Sequence, residues 1–318
     1  MFLISAQQVI IMFCIMLVGM ICRKAGFLRS ESEKDLTNIL CFVVSPCLIV
    51  NSFRQEFSAQ RLALLGELFL LSVGIYLVNI VISQLLFWKK TGGKLFRLSD
   101  DESTIMRFGS VYTNCGFIGF PLVQSLVGDI GVFYAVPFNI TYNIFVWSHG
   151  VTLFRSGEKQ KISAVAKKVL TNPNIIATAV GLVLFLSQVQ LPEIPARVLE
   201  LISGMNTPLS MLVIGTNLAS YSIPGDLADG KAWLGAAVRN FCLPFVTILM
   251  LLMFMDLPAE ARLTMLVMSA CPVGGFTVLF SNLFNMDKRF PTRYMCLSTI
   301  LSILSVPVMI LAAQTMGL

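Results

Sequence analysis

Two hydrophobic segments of this chain, one in each half, are interrupted by glycine and proline. The string NCGFIGFP occupies residues 114–121 within the apolar run 103–126, and CPVGG occupies residues 271–275 within the apolar run 261–284. Gly and Pro free backbone N–H and C=O groups, which a membrane helix tolerates only beside protein, water or a ligand. Two such breaks at corresponding places predict a binding site.

The chemistry that we expect at the breaks is the binding of an anion. The N-terminal end of a half-helix presents unpaired N–H groups and the positive end of its dipole. A carboxylate can bind between two such ends with little help from a basic side chain. The candidate binding residues, at the breaks and in the second span, are Asn114, Cys115, Gly116, Pro121, Ser269, Pro272, Gly274, Gly275, Thr277, Ser45 and Asn51.

Each candidate also has a structural interpretation. The amide of Asn114 can donate to a carboxylate oxygen, but the same side chain can cap its half-helix. The glycines of the second break permit either close approach of a ligand or tight helix packing. Ser45 and Asn51 can face the site or form hydrogen bonds with neighbouring helices.

Few ionisable residues lie inside the apolar segments. Glu67 and Arg239 are predicted to extend to the membrane interface, and His149 to be a hydrogen-bonded interfacial residue. No carboxylate lies at either break, so a proton-binding carboxylate is not predicted there; sodium binding by carbonyl, Asn, Ser or Thr oxygens remains open. We therefore expect no cofactor, and a coupling ion, if there is one, to be sodium or a proton.

The eight cysteines lie in or near hydrophobic segments and lack the spacing of a metal site or a disulfide framework. Cys115 and Cys271 flank the two breaks. If the breaks line an aqueous cavity, both should react with a soluble thiol reagent.

Composition places the chain in a membrane. Of its 318 residues 56% are hydrophobic and 13% charged, against roughly 25% charged in an average soluble domain. Mean hydropathy is +0.80. The apolar runs match the roughly 20 residues that a helix needs to cross a bilayer, and they lack the alternation of barrel strands. The predicted fold class is therefore an all-α integral membrane protein.

Ten membrane spans are predicted, joined by connections too short for a soluble catalytic domain. An enzyme is disfavoured because the chain has one histidine and no acidic pair at depth, and a channel because no polar stripe runs along several spans. The predicted spans are 3–22, 36–53, 62–88, 103–126, 130–154, 173–190, 197–219, 231–255, 261–284 and 292–316.

Lys and Arg concentrate in alternate connections, as expected for the cytoplasmic side of a membrane. This side includes Lys159, Lys161 and Lys288, whereas the opposite side holds only Arg54, Arg61, Arg197 and Arg262 of the 23 Lys and Arg residues. The prediction is a multi-pass protein of the cytoplasmic membrane with both termini outside. Basic residues without interleaved aromatics, spread over several loops, disfavour nucleic-acid binding.

The ten spans divide into two halves of five, residues 1–158 and 159–318. Because five is odd, a related second half must enter the membrane from the opposite side, which produces an inverted repeat. Ser45-Pro46 in the second span and Thr207-Pro208 in the seventh fall at matching places, as do the breaks in spans four and nine. The sequence therefore predicts a 5+5 inverted repeat.

Four short strings distributed along the chain carry a family resemblance. They are RKAGFL at residues 23–28, Ser45-Pro46, NCGFIGFPL at residues 114–122 and NPNIIA at residues 172–177. With them the chain resembles, over its whole length, the auxin efflux carrier family, which includes bacterial PIN-like permeases and is related to the bile-acid/sodium symporters. The break in span nine is a looser match.

The resemblance implies a secondary transporter that works by elevator-type alternating access. In such a protein spans 3–5 and 8–10 form a mobile transport domain, and spans 1, 2, 6 and 7 form a scaffold through which two copies dimerise. Spans four and nine would cross at their breaks, with substrate beside the crossing. The long central loop of the plant members is missing, so the expected substrate is a small organic anion such as malate or malonate, or an auxin-like carboxylate. A sodium-coupled symporter of the bile-acid type is the alternative, with a channel or a membrane sensor less favoured.

Overall fold

The computed structural model describes residues 2–155, 162–219, 229–286 and 289–318, and these residues are mainly helical. The predicted boundary at residue 158 and the basic residues Lys159, Lys161 and Lys288 lie outside the described residues. The α-helices are α1 (Phe2–Lys24), α2 (Ser30–Ile39), α3 (Ser45–Ser52), α4 (Ala59–Phe87), α5 (Gly92–Leu95), α6 (Asp100–Val111), α7 (Phe120–Val127), α8 (Asp129–Phe145), α9 (Val151–Phe154), α10 (Ile162–Leu170), α11 (Pro173–Ser187), α12 (Glu193–Gly204), α13 (Asn206–Ala219), α14 (Gly230–Ala237), α15 (Leu243–Leu251), α16 (Ala259–Ala270), α17 (Phe276–Leu283) and α18 (Arg289–Thr315).

Within these ranges, seven continuous helices are long and apolar enough to cross a membrane. They become eight if α10 and α11, which meet at an angle of 63°, count as one span. Predicted spans four and nine are not among them, because each is divided into two short helices. The structure therefore supports several apolar spans in an all-helical protein, and the ten-span inverted repeat stays a prediction.

Four π-helical segments run directly into α-helices; three of them also continue a preceding α-helix, whereas the one in the first break does not. The four are Leu40–Val44, Cys115–Gly119, Val146–Gly150 and Val238–Cys242. Three of them run directly into an α-helix with proline in its first turn, namely α3, α7 and α15. Proline lacks an N–H and its ring clashes with a carbonyl one turn earlier, so a wider turn lets the helix continue past it.

The main helix contacts form two groups, which also touch each other where α3 packs on α8 and α1 packs on α18. In one, α1 packs closely along α13, and α3 packs on α11 and α12. A Cβ on Gly19 would collide with the carbonyl of Leu212, and one on Gly215 with the carbonyl of Met16, so glycine is what permits this close approach. In the other group, α8 packs on α4 and α16, and α18 packs on α14. The broken helices belong to the second group.

Candidate functional site

The two breaks lie against each other. An antiparallel bridge joins Thr113 to Val273. Beside it, the N–H of Asn114 donates to the carbonyl of Pro272 at 2.8 Å. Backbone groups freed at membrane depth need partners, and here each break supplies them to the other.

Glycine at position 274 permits this contact. The N–H of Gly274 donates to the carbonyl of Tyr112 at 3.0 Å, and an added Cβ would lie 2.9 Å from the carbonyl oxygen of Thr113. By contrast, a Cβ on Gly116 or Gly275 would meet nothing within 4 Å. Gly274 therefore allows the two breaks to pack closely, whereas Gly116 and Gly275 have open space beside them.

One arginine binds the C-terminal ends of both helices that lead into the breaks. The guanidinium of Arg239 donates through Nη1 to the carbonyl of Ser110 at 2.7 Å, and through Nη2 to the carbonyl of Ser269. These serines occupy equivalent positions, one residue before the last residue of α6 and of α16. Carbonyls at a helix C-terminus lack partners within the helix and carry partial negative charge. Arg239 supplies both hydrogen-bond donors and a positive charge.

The prediction that Arg239 extends to the membrane interface is wrong. Its side chain is 0% exposed and lies at the crossing. The sequence contained the signal, because an ionisable residue well inside an apolar span is by default a candidate for function. A long side chain reaches the interface only along an open path, and packing around Arg239 closes that path.

Polar residues that sequence reasoning missed hold the second break in place. The N–H of Val273 donates to Oγ of Ser298 at 3.0 Å. Ser298 in turn donates to Oδ1 of Asn240 at 2.6 Å, and Asn240 donates to the carbonyl of Ser298 at 2.8 Å. Asn240 follows Arg239 in the same π-helix. One turn of this span therefore positions both the guanidinium of Arg239 and the second break. Single serines and asparagines in apolar spans gave no pattern by which to select them.

The N-terminal ends that leave the breaks keep unpaired donors. In the described ranges, the N–H groups of Gly116, Phe117, Gly275 and Phe276 form no hydrogen bond. Gly275 is exposed and the other three are partly exposed. Such donors, at the positive ends of two helices, are suited to bind a carboxylate.

Asn114 presents a further unpaired donor. Its side chain is partly exposed and does not cap the π-helix that follows. Its backbone carbonyl accepts from the N–H groups of Ile118 and Gly119 at 3.0 and 3.2 Å, so the turn is closed by main-chain atoms. The capping alternative is thus contradicted, and no partner for the amide lies among the described residues.

Other predicted site residues are buried. Cys115 and Cys271 are 0% exposed, so in this conformation neither faces an aqueous cavity, contrary to the accessibility expected for the two thiols. Pro121 is also buried. Ser269 shares a hydrogen bond with Thr247 at 2.7 Å. Thr277 is buried as well, and no partner for its hydroxyl lies among the described residues.

Ser45 and Asn51 have partners away from the breaks. Ser45 donates to Oδ1 of Asn174 at 3.1 Å, and Oδ1 of Asn51 accepts from Arg54 at 3.0 Å. The Ser45 contact joins α3 to α11 and fits the structural interpretation, whereas the Asn51 contact is local to the end of α3. The NPNIIA string also has a visible role: Asn172 caps the N-terminus of α11 and donates to Oδ1 of Asn143 at 2.9 Å, a contact between the two helix groups.

His149 lies closer to the site than predicted. Its Nδ1 is 2.9 Å from the hydroxyl of Tyr112, which also donates to the carbonyl of Phe145. The histidine thus supports the first break through Tyr112. In the part of the chain that the structure describes, His, Cys, Asp and Glu form no group of three able to hold a metal ion.

Comparison with known proteins agrees with a transporter rather than an enzyme. A family model described as "Membrane transport protein" matches residues 4–310. An uncharacterized transporter of Methanocaldococcus jannaschii is 22% identical over 306 residues, covering 95% of this chain and 96% of that protein. An uncharacterized transporter of Methanothermobacter thermautotrophicus is 23% identical over 311 residues, covering 96% and 97%. The matches span nearly the whole chain and confirm the predicted resemblance: the chain belongs to the membrane transport protein family of auxin efflux-like carriers.

Proposed function

We propose that this protein is a secondary transporter that carries a small organic anion, such as malonate, malate or an auxin-like carboxylate, across the cytoplasmic membrane. The observation that carries the proposal is the set of unpaired N–H donors at the N-terminal ends of the two broken helices, together with the free amide of Asn114. Membership of the family supports transport as the activity. The donors support a carboxylate as the ligand, because charge-assisted hydrogen bonds to an anion are stronger than neutral ones.

The charge at the crossing also favours an anion. Each helix end carries roughly half an elementary charge. The two negative ends are already bonded to Arg239, whereas the two positive ends have no counter-charge among the described residues. Their sum of roughly +1 offsets the charge of one carboxylate group of the anion. The amide of Asn114 adds a hydrogen bond that orients the bound anion.

The movement that we propose is alternating access between the two helix groups. Spans 3–5 and 8–10 would carry the bound anion past spans 1, 2, 6 and 7, with the halves 1–158 and 159–318 related as an inverted repeat. The boundary supports such a movement: the π-helix Cys115–Gly119 packs on α13, and the Asn172–Asn143 hydrogen bond crosses it. Packed helices can slide past each other by small shear movements. Both termini outside and a homodimer formed through spans 1, 2, 6 and 7 complete the proposal.

Counterflow in proteoliposomes tests this function. Vesicles loaded with unlabelled malonate or malate should accumulate the labelled anion transiently, at a rate that saturates with concentration. Protein-free vesicles and the neutral diamide of malonate serve as controls and should show no accumulation. Uptake that rises in proportion to concentration without counterflow would indicate a channel and overturn the proposal.

A further inference from the structure

The buried guanidinium of Arg239 occupies a place that suits a metal cation. It lies between the carbonyls of Ser110 and Ser269, at the C-terminal ends of α6 and α16. In transporters with broken helices, carbonyls of this kind, at half-helix C-terminal ends, coordinate sodium. Here protein atoms already fill the position.

The charges at this place balance without an ion. Two helix C-terminal ends contribute roughly −1 in total, and Arg239 contributes +1. No carboxylate forms an ion pair with it within the described ranges. The helix ends are therefore its counter-charge, and a sodium ion added beside it would meet repulsion.

The guanidinium is also held in position. Arg239 belongs to the π-helix Val238–Cys242, whose next residue, Asn240, bonds to both Ser298 and Ser305. These bonds fix the backbone from which the arginine extends. A side chain that is 0% exposed and anchored in this way stays in place while a diffusible ion would exchange.

We propose that Arg239 is a built-in cation that replaces a sodium ion at the crossing, so that the protein neither binds sodium there nor needs it to carry its anion. The statement about transport rests on the proposed function; the statement about sodium binding does not. Arg239 is a positioning residue in this proposal, since it acts on the site through the two helix ends.

Sodium binding to the purified full-length protein tests the proposal directly. In a scintillation proximity assay with labelled sodium, the wild type should show no saturable binding. Its thermal midpoint should be the same in sodium chloride and in choline chloride at equal ionic strength. Saturable binding, or a midpoint raised by sodium alone, would overturn the proposal whatever any variant does.

A variant should recreate the missing ion site. In Arg239→Ser the two carbonyls lose their cation, so sodium or a low concentration of guanidinium should raise the thermal midpoint by roughly 2 to 5 °C relative to choline. Arg262→Ser is the matched control, because Arg262 also donates to a backbone carbonyl, that of Met255, but is partly exposed and lies away from the breaks; it should show no such response. A folded Arg239→Ser that responds to neither cation contradicts the proposal.

Counterflow measured in sodium and in choline buffer distinguishes the proposed role of Arg239 from the proposed transport function. Malonate counterflow that proceeds equally in choline and in sodium buffer supports both. Counterflow that requires sodium overturns the role of Arg239 and leaves the transport function standing. Failure of every tested carboxylate, with sodium binding still missing from the wild type, overturns the function and leaves the role of Arg239 standing.

Discussion

The crossing has two different sides. The helix C-terminal ends that enter the breaks form its closed side, and the helix N-terminal ends that leave the breaks form its open side. On the C-terminal side, Arg239 bonds to two carbonyls and is fully buried. On the N-terminal side, the N–H groups of Gly116 and Gly275 and the amide of Asn114 have no partner among the described residues and are at least partly exposed. The negative helix ends are thus bonded within the protein, whereas the N–H donors at the positive ends are not. This difference is what supports the proposal of an anion bound at the N-terminal ends.

Removing the charge of Arg239, on the closed side, should have the largest effect on stability. Arg239→Met leaves the carbonyls of Ser110 and Ser269 buried without partners, and each such loss costs roughly 1–3 kcal/mol. We therefore expect destabilisation of roughly 2–6 kcal/mol, measured as a lower thermal midpoint of the purified protein and a lower yield in the membrane.

Arg239→Lys is the control for this prediction. Lysine keeps the charge but lacks the fork that reaches two carbonyls at once, so its midpoint should lie between those of wild type and Arg239→Met. If Arg239→Met is as stable as wild type, the closed side does not need its cation, and the contrast between the two sides is lost.

Removing the amide on the open side should affect transport and spare stability. Asn114→Ala loses a donor to the bound anion, which is worth roughly 1.5–3 kcal/mol for a hydrogen bond to a charged group, or about 10- to 150-fold in affinity. We expect counterflow to fall by at least about tenfold, with an unchanged thermal midpoint because the side chain has no partner to lose.

Asn282→Ala is the matched control, because Asn282 is an exposed asparagine in α17, towards the far end of the second broken span. It should transport like wild type. Normal counterflow by Asn114→Ala would remove this residue from the site, whereas a large fall in its thermal midpoint would restore a structural role.

The sequence was sufficient to locate the breaks but not to distinguish their two sides. Gly and Pro act locally on the backbone, so the interruptions near Asn114 and Gly274 can be read directly from the residue types. The position of Arg239 depends on how a third span packs against both breaks, and no local pattern encodes that. Burial of Cys115 likewise depends on neighbouring helices, which is why its predicted accessibility was wrong for this conformation.

The contact between the breaks can be loosened by a single methyl group. In Gly274→Ala the new Cβ would lie 2.9 and 3.0 Å from two backbone carbonyl oxygens, and backbone cannot move aside as a flexible side chain can. We expect destabilisation of about 1–3 kcal/mol from overpacking, measured as a thermal midpoint. Gly275→Ala is the control, because its Cβ has open space; equal midpoints for the two variants would contradict the observed approach of the breaks.

The smallest effect is expected from an ion pair outside the crossing. Nζ of Lys231 lies 2.7 Å from Oε2 of Glu102 and links the first turns of α14 and α6, with side chains 36% and 21% exposed. Partial burial of Glu102 opposes ionisation, but hydrogen bonds from Lys231 and Ser99 outweigh it and hold the pKa of this carboxyl below its ordinary value of 4.5.

Because the pKa is lowered in the folded state, the stabilisation is present above pH 4.5 and is lost as pH falls through the lower folded pKa. A partly exposed pair contributes about 0.2–1 kcal/mol. Glu102→Gln should therefore lower the thermal midpoint slightly at pH 7, and the difference from wild type should shrink as pH falls below 4.5. Glu200→Gln is the control, because its pair with Arg197 is more exposed and should matter less at either pH. If Glu102→Gln destabilises as strongly as Arg239→Met, charges at the helix ends matter as much at the periphery as at the crossing, and the contrast between a buried, bonded cation and a solvated pair fails.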